Sequence, residues 1–151
     1  MELDEIIYAA LTASEALEAI VGDRIISTCI ERPPAELDST QFPYIIITDD
    51  ALQNELSTKD DEWESDTDQV QAGVMICGTS PSEVKQIRRL VRKSVAAYVQ
   101  SMTEDVPTLV SLSNEGIKWD WDGPCYWDVL HYQCEVRIDL TEDEDEQEID
   151  N

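Results

Sequence analysis

The sequence predicts an α+β fold: a mainly antiparallel sheet of four to five strands, with one long helix and a short N-terminal helical segment packed on one face. Three patterns predict it. Residues 42–48 (FPYIIIT) form a short aromatic and β-branched run, as a strand buried on both faces does. Residues 67–77 and 126–140 alternate apolar and polar side chains with a period of two. Between them Val84, Ile87, Val91, Val95, Tyr98 and Met102 recur in steps of three and four, the spacing of one helix face.

The elements follow in chain order. Leu3, Ile6, Ile7, Ala10 and Leu11 are helically spaced, and Leu17, Ile20 and Val21 continue an apolar face after a break. Thr12 or Ser14 is placed to cap the second turn of helix, and Gly22-Asp23 ends it. Arg24-Ile25-Ile26 is a short extended stretch before Pro33-Pro34, which cannot continue a helix. From Asp49 to about Asp66 only Leu52, Leu56 and Trp63 offer much to bury, so this segment reads as a long loop or the extended tip of a hairpin. Val70, Ala72, Val74 and Ile76 then share one face of a strand whose simplest partner is the 42–48 strand, antiparallel to it.

Ser80-Pro81-Ser82-Glu83 starts the long helix, with a capping serine, proline at the first position and a carboxylate three residues after the cap. Its outward face carries Lys85, Arg88, Arg89, Arg92 and Lys93, half of the 10 basic residues. A short strand over 108–112, a turn at 114–116 and an alternating stretch over 117–122 precede the Gly123-Pro124 turn. In the last strand Asp128, Leu130, Tyr132, Cys134, Val136, Ile138 and Leu140 share the face assigned to the core. The other sheet face must be polar or covered, and Trp119, Trp121 and Trp127 there would suit a subunit interface. Residues 1–140 read as one domain, and 141–151 as a disordered acidic tail.

Charge is distributed unevenly along this frame. The formal net charge is −24, of which residues 49–68 carry −8 and the last ten residues −7. The first group comprises Asp49, Asp50, Glu55, Asp60, Asp61, Glu62, Glu64, Asp66 and Asp68 against one lysine. These residues are the candidate acidic channel lining or partner-binding loop. So negative a surface does not grip nucleic acid by its phosphates, because each such contact needs Lys or Arg. It is suited to holding DNA off or to meeting a basic protein surface.

No apolar run approaches the ~18 residues that span a bilayer, and the acidic start MELDEIIYAAL argues against a signal peptide. A cytoplasmic origin is expected, with no membrane association. The four cysteines, Cys29, Cys77, Cys125 and Cys134, form no CxxC pair, and the single His131 does not complete a zinc set with them at local spacing. They are expected as buried or interfacial free thiols.

Catalytic signatures are missing. No G-x-G-x-x-G, Walker-type loop or G-x-S-x-G occurs. KDDEWESDTDQV lacks the sixth-position glycine of an EF-hand loop, so a solvated acidic loop is the better reading. Asp120 and Asp122 in WDWDG have the spacing of paired carboxylates, but on a strand this is equally a polar face opposite Trp119 and Trp121. His131 reads as a structural polar residue. No cofactor, no metal and no enzyme activity are expected. The basic stripe is either a solvated helix face or an ion-pairing surface for the acidic loop or tail of a neighbouring subunit, and such segregated charges are what a head-to-tail ring uses. Lys85, Arg88, Arg89, Arg92, Lys93, Trp119, Trp121 and Trp127 are therefore the candidate subunit interface.

The helix pair ending in V-G-D-R-I (residues 21–25), the proline-containing stretch and F-P-Y-I-I-I (42–47) resemble the tail terminators, or tail-completion proteins, of long-tailed bacteriophages. V-Q-A-G-V-M-I (70–76), the serine-capped helix from Ser80 and the closing R-I-D-L (137–140) extend that resemblance over residues 3–140. It implies a mixed α+β sheet with flanking helices and a hexameric ring of copies. That ring caps the tail tube and joins it to the head connector, so the partners would be the chain itself, the tail tube protein and connector proteins, within the virion. The extreme acidity and the carboxylate excursion depart from the family pattern. In a ring the excursion would line or overhang the channel and let DNA pass without specific binding, or would dock on a neighbouring protein. The competing class is an acidic DNA-mimic inhibitor of a DNA-handling protein, disfavoured because most carboxylates fall in segments expected to be flexible.

Overall fold

The computed structural model describes residues 2–28, 42–54, 67–104, 106–122 and 124–137. Two short helices open the chain, α1 (Leu3–Thr12) and α2 (Glu15–Val21). Ser14 caps α2 by accepting from the Leu17 amide at 3.3 Å. Gly22 follows with φ +60°, a left-handed conformation that costs glycine nothing, and its amide donates to the Glu18 carbonyl. Arg24 then fixes the exit of the chain: its Nε donates to the Pro43 carbonyl at 2.8 Å and its Nη2 to the Ile20 carbonyl at 3.3 Å.

Among the described residues six strands form one sheet: β1 (Ile25–Ser27), β2 (Tyr44–Asn54), β3 (Thr67–Gly78), β4 (Thr108–Asn114), β5 (Lys118–Asp120) and β6 (Cys125–Arg137). Their order is β1-β2-β3-β6-β4, with β5 paired to β6. Of these strands, β1 runs parallel to β2, and the other pairings among the described residues are antiparallel. The expected pairing of the 42–48 run with the 67–77 strand is present, Ile45 opposite Ile76 and Ile47 opposite Val74. Two short strands, at Ile25 and Lys118, bring the sheet beyond the expected four to five.

The acidic excursion is shorter than its charge implied. The β2–β3 pairing continues past a bulge between Asp49 and Leu52 to Asn54 opposite Asp68. Asp49 and Asp50 thus lie on β2, as the extended tip of a hairpin requires, and Asp68 lies on β3 within the expected 67–77 strand, since backbone pairing needs no apolar side chain on the solvent side. Glu55, Asp60, Asp61, Glu62, Glu64 and Asp66 lie outside the described residues, as does the tail beyond Arg137.

The long helix α3 (Pro81–Ser101) starts as its sequence dictates: Ser80 Oγ accepts from the Glu83 amide, and Glu83 Oε1 reaches back to the Thr79 amide at 2.9 Å. Val84, Ile87, Val91 and Val95 are buried, as the stripe predicts. They meet Ile45, Ile47, Ala72, Val74, Ile76 and Leu130 from the sheet and Leu3, Ile7 and Leu11 from α1. At roughly 1.5–3 kcal/mol for each large aliphatic side chain taken from water, this layer dominates the fold's stability. Along the sheet, α1 packs over β1, β2 and β3, and α3 over β3 and β6.

Candidate assembly surfaces

A charge is buried where α3 meets β6. Asp128 occupies a position on the core face of β6 that its neighbours give to Leu130, Tyr132 and Cys134, and it is fully buried. Its Oδ2 accepts from Arg88 Nη1 at 2.8 Å and from Asn114 Nδ2 at 3.0 Å, and its Oδ1 from the Gly116 amide at 3.0 Å. Burial pushes the Asp128 carboxyl up, but these three donors and the guanidinium charge together hold it below the ordinary value. Gly116 has φ +95°, which lets the turn after β4 aim its amide at the carboxylate.

This divides the basic stripe. Arg88 is half-buried and committed to Asp128, so it is not a free interface charge. Lys85, Arg89, Arg92 and Lys93 are exposed. They border a groove of about 650 Å³ where α3 faces Tyr132 of β6 and Leu112 of β4, with Val95 and Val99 on the helix side. The Tyr132 hydroxyl is buried and has no hydrogen-bond partner among the described residues.

The opposite face of the sheet is covered by no helix among the described residues. Tyr44, Cys77 and Trp127 stand in register across β2, β3 and β6, joined by Phe42, Ile46, Met75 and Cys125. Phe42 stacks on Tyr44 with centroids 5.3 Å apart, and Lys118 Nζ sits 5.1 Å from the Trp127 ring centroid. Desolvation pushes the Cys77 thiol up to about 12 and raises Cys125 and Cys134 as well. Cys77, Cys125 and Cys134 are free and buried, as expected; Cys29 lies outside the described residues.

Further along that face the surface turns polar. His131 Nε2 meets Glu115 Oε2 at 2.9 Å, and its Nδ1 lies 3.9 Å from Asp50 Oδ2. Glu115, which also accepts from Lys118, is held below the ordinary carboxylate range by His131 and Lys118. His131 is therefore a bridge between two carboxylates. Gln69, Gln71 and Gln133 continue the face, with Gln133 Nε2 donating to Gln69 Oε1 at 2.9 Å.

The tryptophans are not one patch. Trp127 belongs to the open face, whereas Trp119 pairs with Tyr126 on the helix side, its ring 4.7 Å from that of Tyr126. Trp121 sits in the turn after β5, 84% exposed and edge-on to Trp119 at 5.7 Å. Asp120 Oδ1 accepts from the Asp122 amide at 3.0 Å, so this carboxylate is used in closing a turn and the two do not form a paired site. One other acidic group stands out: carboxylate oxygens of Glu2, Asp4 and Asp49 lie within 4.8 Å of one another, a set able to hold a cation. Asp128, Tyr132 and Leu112 escaped the sequence-level site assignment; the signal for the first was a lone charge in an apolar register.

No helix among the described residues is long and apolar enough to cross a membrane. No curated protein sequence matches the chain significantly. Similar solved structures include a chain from a structure titled "Virion of native gene transfer agent (GTA) particle", 15% identical, with a TM-score of 0.50. The match covers 89% of this chain and 94% of that one, and at this identity it speaks for the fold. Residues 5–137 match the family described as "Tail completion protein gp17". The chain therefore belongs to the tail completion protein gp17 family and is a structural protein of the bacteriophage virion, located at the tail or neck.

Proposed function

We propose that the protein closes into a ring of its own copies, hexameric by analogy with related tail terminators, that caps the tail tube and joins it to the head connector without enzymatic activity. The family match supports the tail role. The observation that carries self-assembly is the uncovered sheet face, where Phe42, Ile46, Met75 and Trp127 are only partly buried in a single copy. A second sheet or helix layer is what normally completes such a face. Charge supports the same reading. Lys85, Arg89, Arg92 and Lys93 lie on one element and the carboxylates on others, so each copy presents both halves of a complementary contact. Trp119, on the helix side of β5, and Trp121, in the turn after it, are exposed and offer a second contact separate from the open face.

In this reading the acidic segment between β2 and β3 lines or overhangs the channel, where it repels passing DNA. Neutralising Asp60, Asp61, Glu62 and Glu64 to amides tests that assignment in two assays, tail joining and genome ejection. Slower ejection with normal joining supports a channel lining, and failed joining supports a docking role. Unchanged behaviour in both removes the segment from the account. The ring itself is tested by joining assays with Trp127→Glu, which places a charge in the open face; joining at the wild-type level contradicts that face as the contact.

A further inference from the structure

The groove beside α3 combines three features that a solvated helix face does not need. Its rim is cationic, with Arg89 and Arg92 exposed. Its walls are apolar, from Val95, Val99 and Leu112. Tyr132 also lines it, with a side chain only 4% exposed and a buried hydroxyl that has no partner among the described residues. A buried hydroxyl without a partner costs about 1–3 kcal/mol, so a ligand that accepts from it gains by docking. Desolvation pushes the Tyr132 phenol up to about 12, which keeps it a donor at neutral pH. Cations around the rim, apolar walls and an unpartnered hydroxyl on a lining tyrosine describe a receptor for a carboxylate-bearing segment that also carries an aliphatic anchor.

We infer that this groove binds the acidic C-terminal segment of the chain itself, residues 141–151. That segment, TEDEDEQEIDN, has seven carboxylates, no basic residue and one aliphatic side chain, Ile149, between Glu148 and Asp150. In an extended backbone, neighbouring side chains point to opposite sides. Ile149 would then enter between the apolar walls while Glu148 and Asp150 turn toward the rim. Reach is ample. Residues 138–151 follow the end of β6 and span at most about 50 Å when extended, whereas Tyr132 lies about 17 Å back along the strand. The segment can reach the groove of its own copy or of an adjacent one. Docking does not require a closed ring, so failure of the ring and failure of the groove are separate results.

The test uses full-length chain in which the seven tail carboxylates are changed to amides, leaving the groove unoccupied by its own tail. The probe is a fluorescent synthetic peptide of residues 138–151. Saturable binding at low ionic strength is expected, weakened about tenfold by Arg92→Ala, which removes a charge-assisted contact. Tyr132→Phe should weaken it several-fold while leaving the melting temperature of the receptor unchanged or higher, because no internal hydrogen bond is lost. A peptide with Ile149→Asn should also bind several-fold more weakly. Absence of saturable binding overturns the inference. So does binding indifferent to both Arg92→Ala and Tyr132→Phe, or displacement of the peptide by a short DNA duplex at lower concentration than by unlabelled peptide, which would make the groove a phosphate site.

Discussion

Arg88 on the long helix and Asp128 on the last strand meet at 2.8 Å, with the carboxylate fully buried and the guanidinium at the edge of the groove. The pair ties α3 to β6, and through Asn114 and Gly116 it also holds the turn that follows β4. One buried charge therefore positions three pieces of the candidate assembly surface.

Removing that charge should be costly. Asp128→Ala leaves a half-buried guanidinium and the Gly116 amide without their acceptor, and breaking a buried pair in this way costs about 3–5 kcal/mol. Asp128→Asn should cost less, since its carbonyl oxygen still accepts. Equilibrium urea unfolding measures both; a loss below about 1 kcal/mol for Asp128→Ala contradicts the assigned role.

The same group sets an acid limit. Its folded pKa is lower than its unfolded value, so its stabilisation is fully present above the ordinary carboxylate range and is lost as pH falls through the lowered value. Glu115 shifts in the same direction but is exposed, so its share is small. Unfolding midpoints followed from pH 6 downward should fall more steeply for wild type than for Asp128→Asn. Parallel curves would show that another carboxylate governs acid unfolding.

Much of this was legible from the chain because local and long-range signals agreed. The α3 stripe, the Ser80 cap and the alternation of β3 and β6 each depend on neighbours a few residues away, and each is present as read. The β2–β3 extension through Asp49 and Asp50 was legible only as one of two readings, loop or hairpin tip, because charge argues for a loop while strand pairing is a backbone property. The groove was hidden for another reason: Leu112 and Tyr132 lie on strands that only the order β3-β6-β4 brings beside α3. Arg88 looked like its neighbours in the stripe, and only its partner 40 residues away distinguishes it.

Burial governs thiol chemistry. Desolvation raises Cys77, Cys125 and Cys134 above the ordinary thiol value, so their thiolate fraction is small, and their burial limits access. Alkylation at pH 8 should spare these three in the folded protein and modify them on addition of denaturant. Mass mapping that finds Cys77 or Cys125 labelled under native conditions contradicts the packing of the open face.

Asp4 is a liability within α1. As an acid in the first helical turn it gains about 0.3–1 kcal/mol from the helix dipole. Its Oδ1, however, is buried without a hydrogen-bond partner among the described residues and lies beside Glu2 and Asp49, an arrangement that costs about 1–3 kcal/mol. The cost outweighs the gain, so Asp4→Asn should stabilise the protein by about 1 kcal/mol in urea unfolding at an unchanged m-value. Destabilisation by that amount would mean that the carboxylate has a stabilising partner.

Ring closure is the claim on which the functional account stands, and native mass spectrometry of the purified full-length chain tests it most directly. A closed species at six times the 17.1 kDa of one chain, or a neighbouring ring number, is expected, reduced to single chains by Trp127→Glu. A wild-type chain that stays single as its concentration is raised would contradict it.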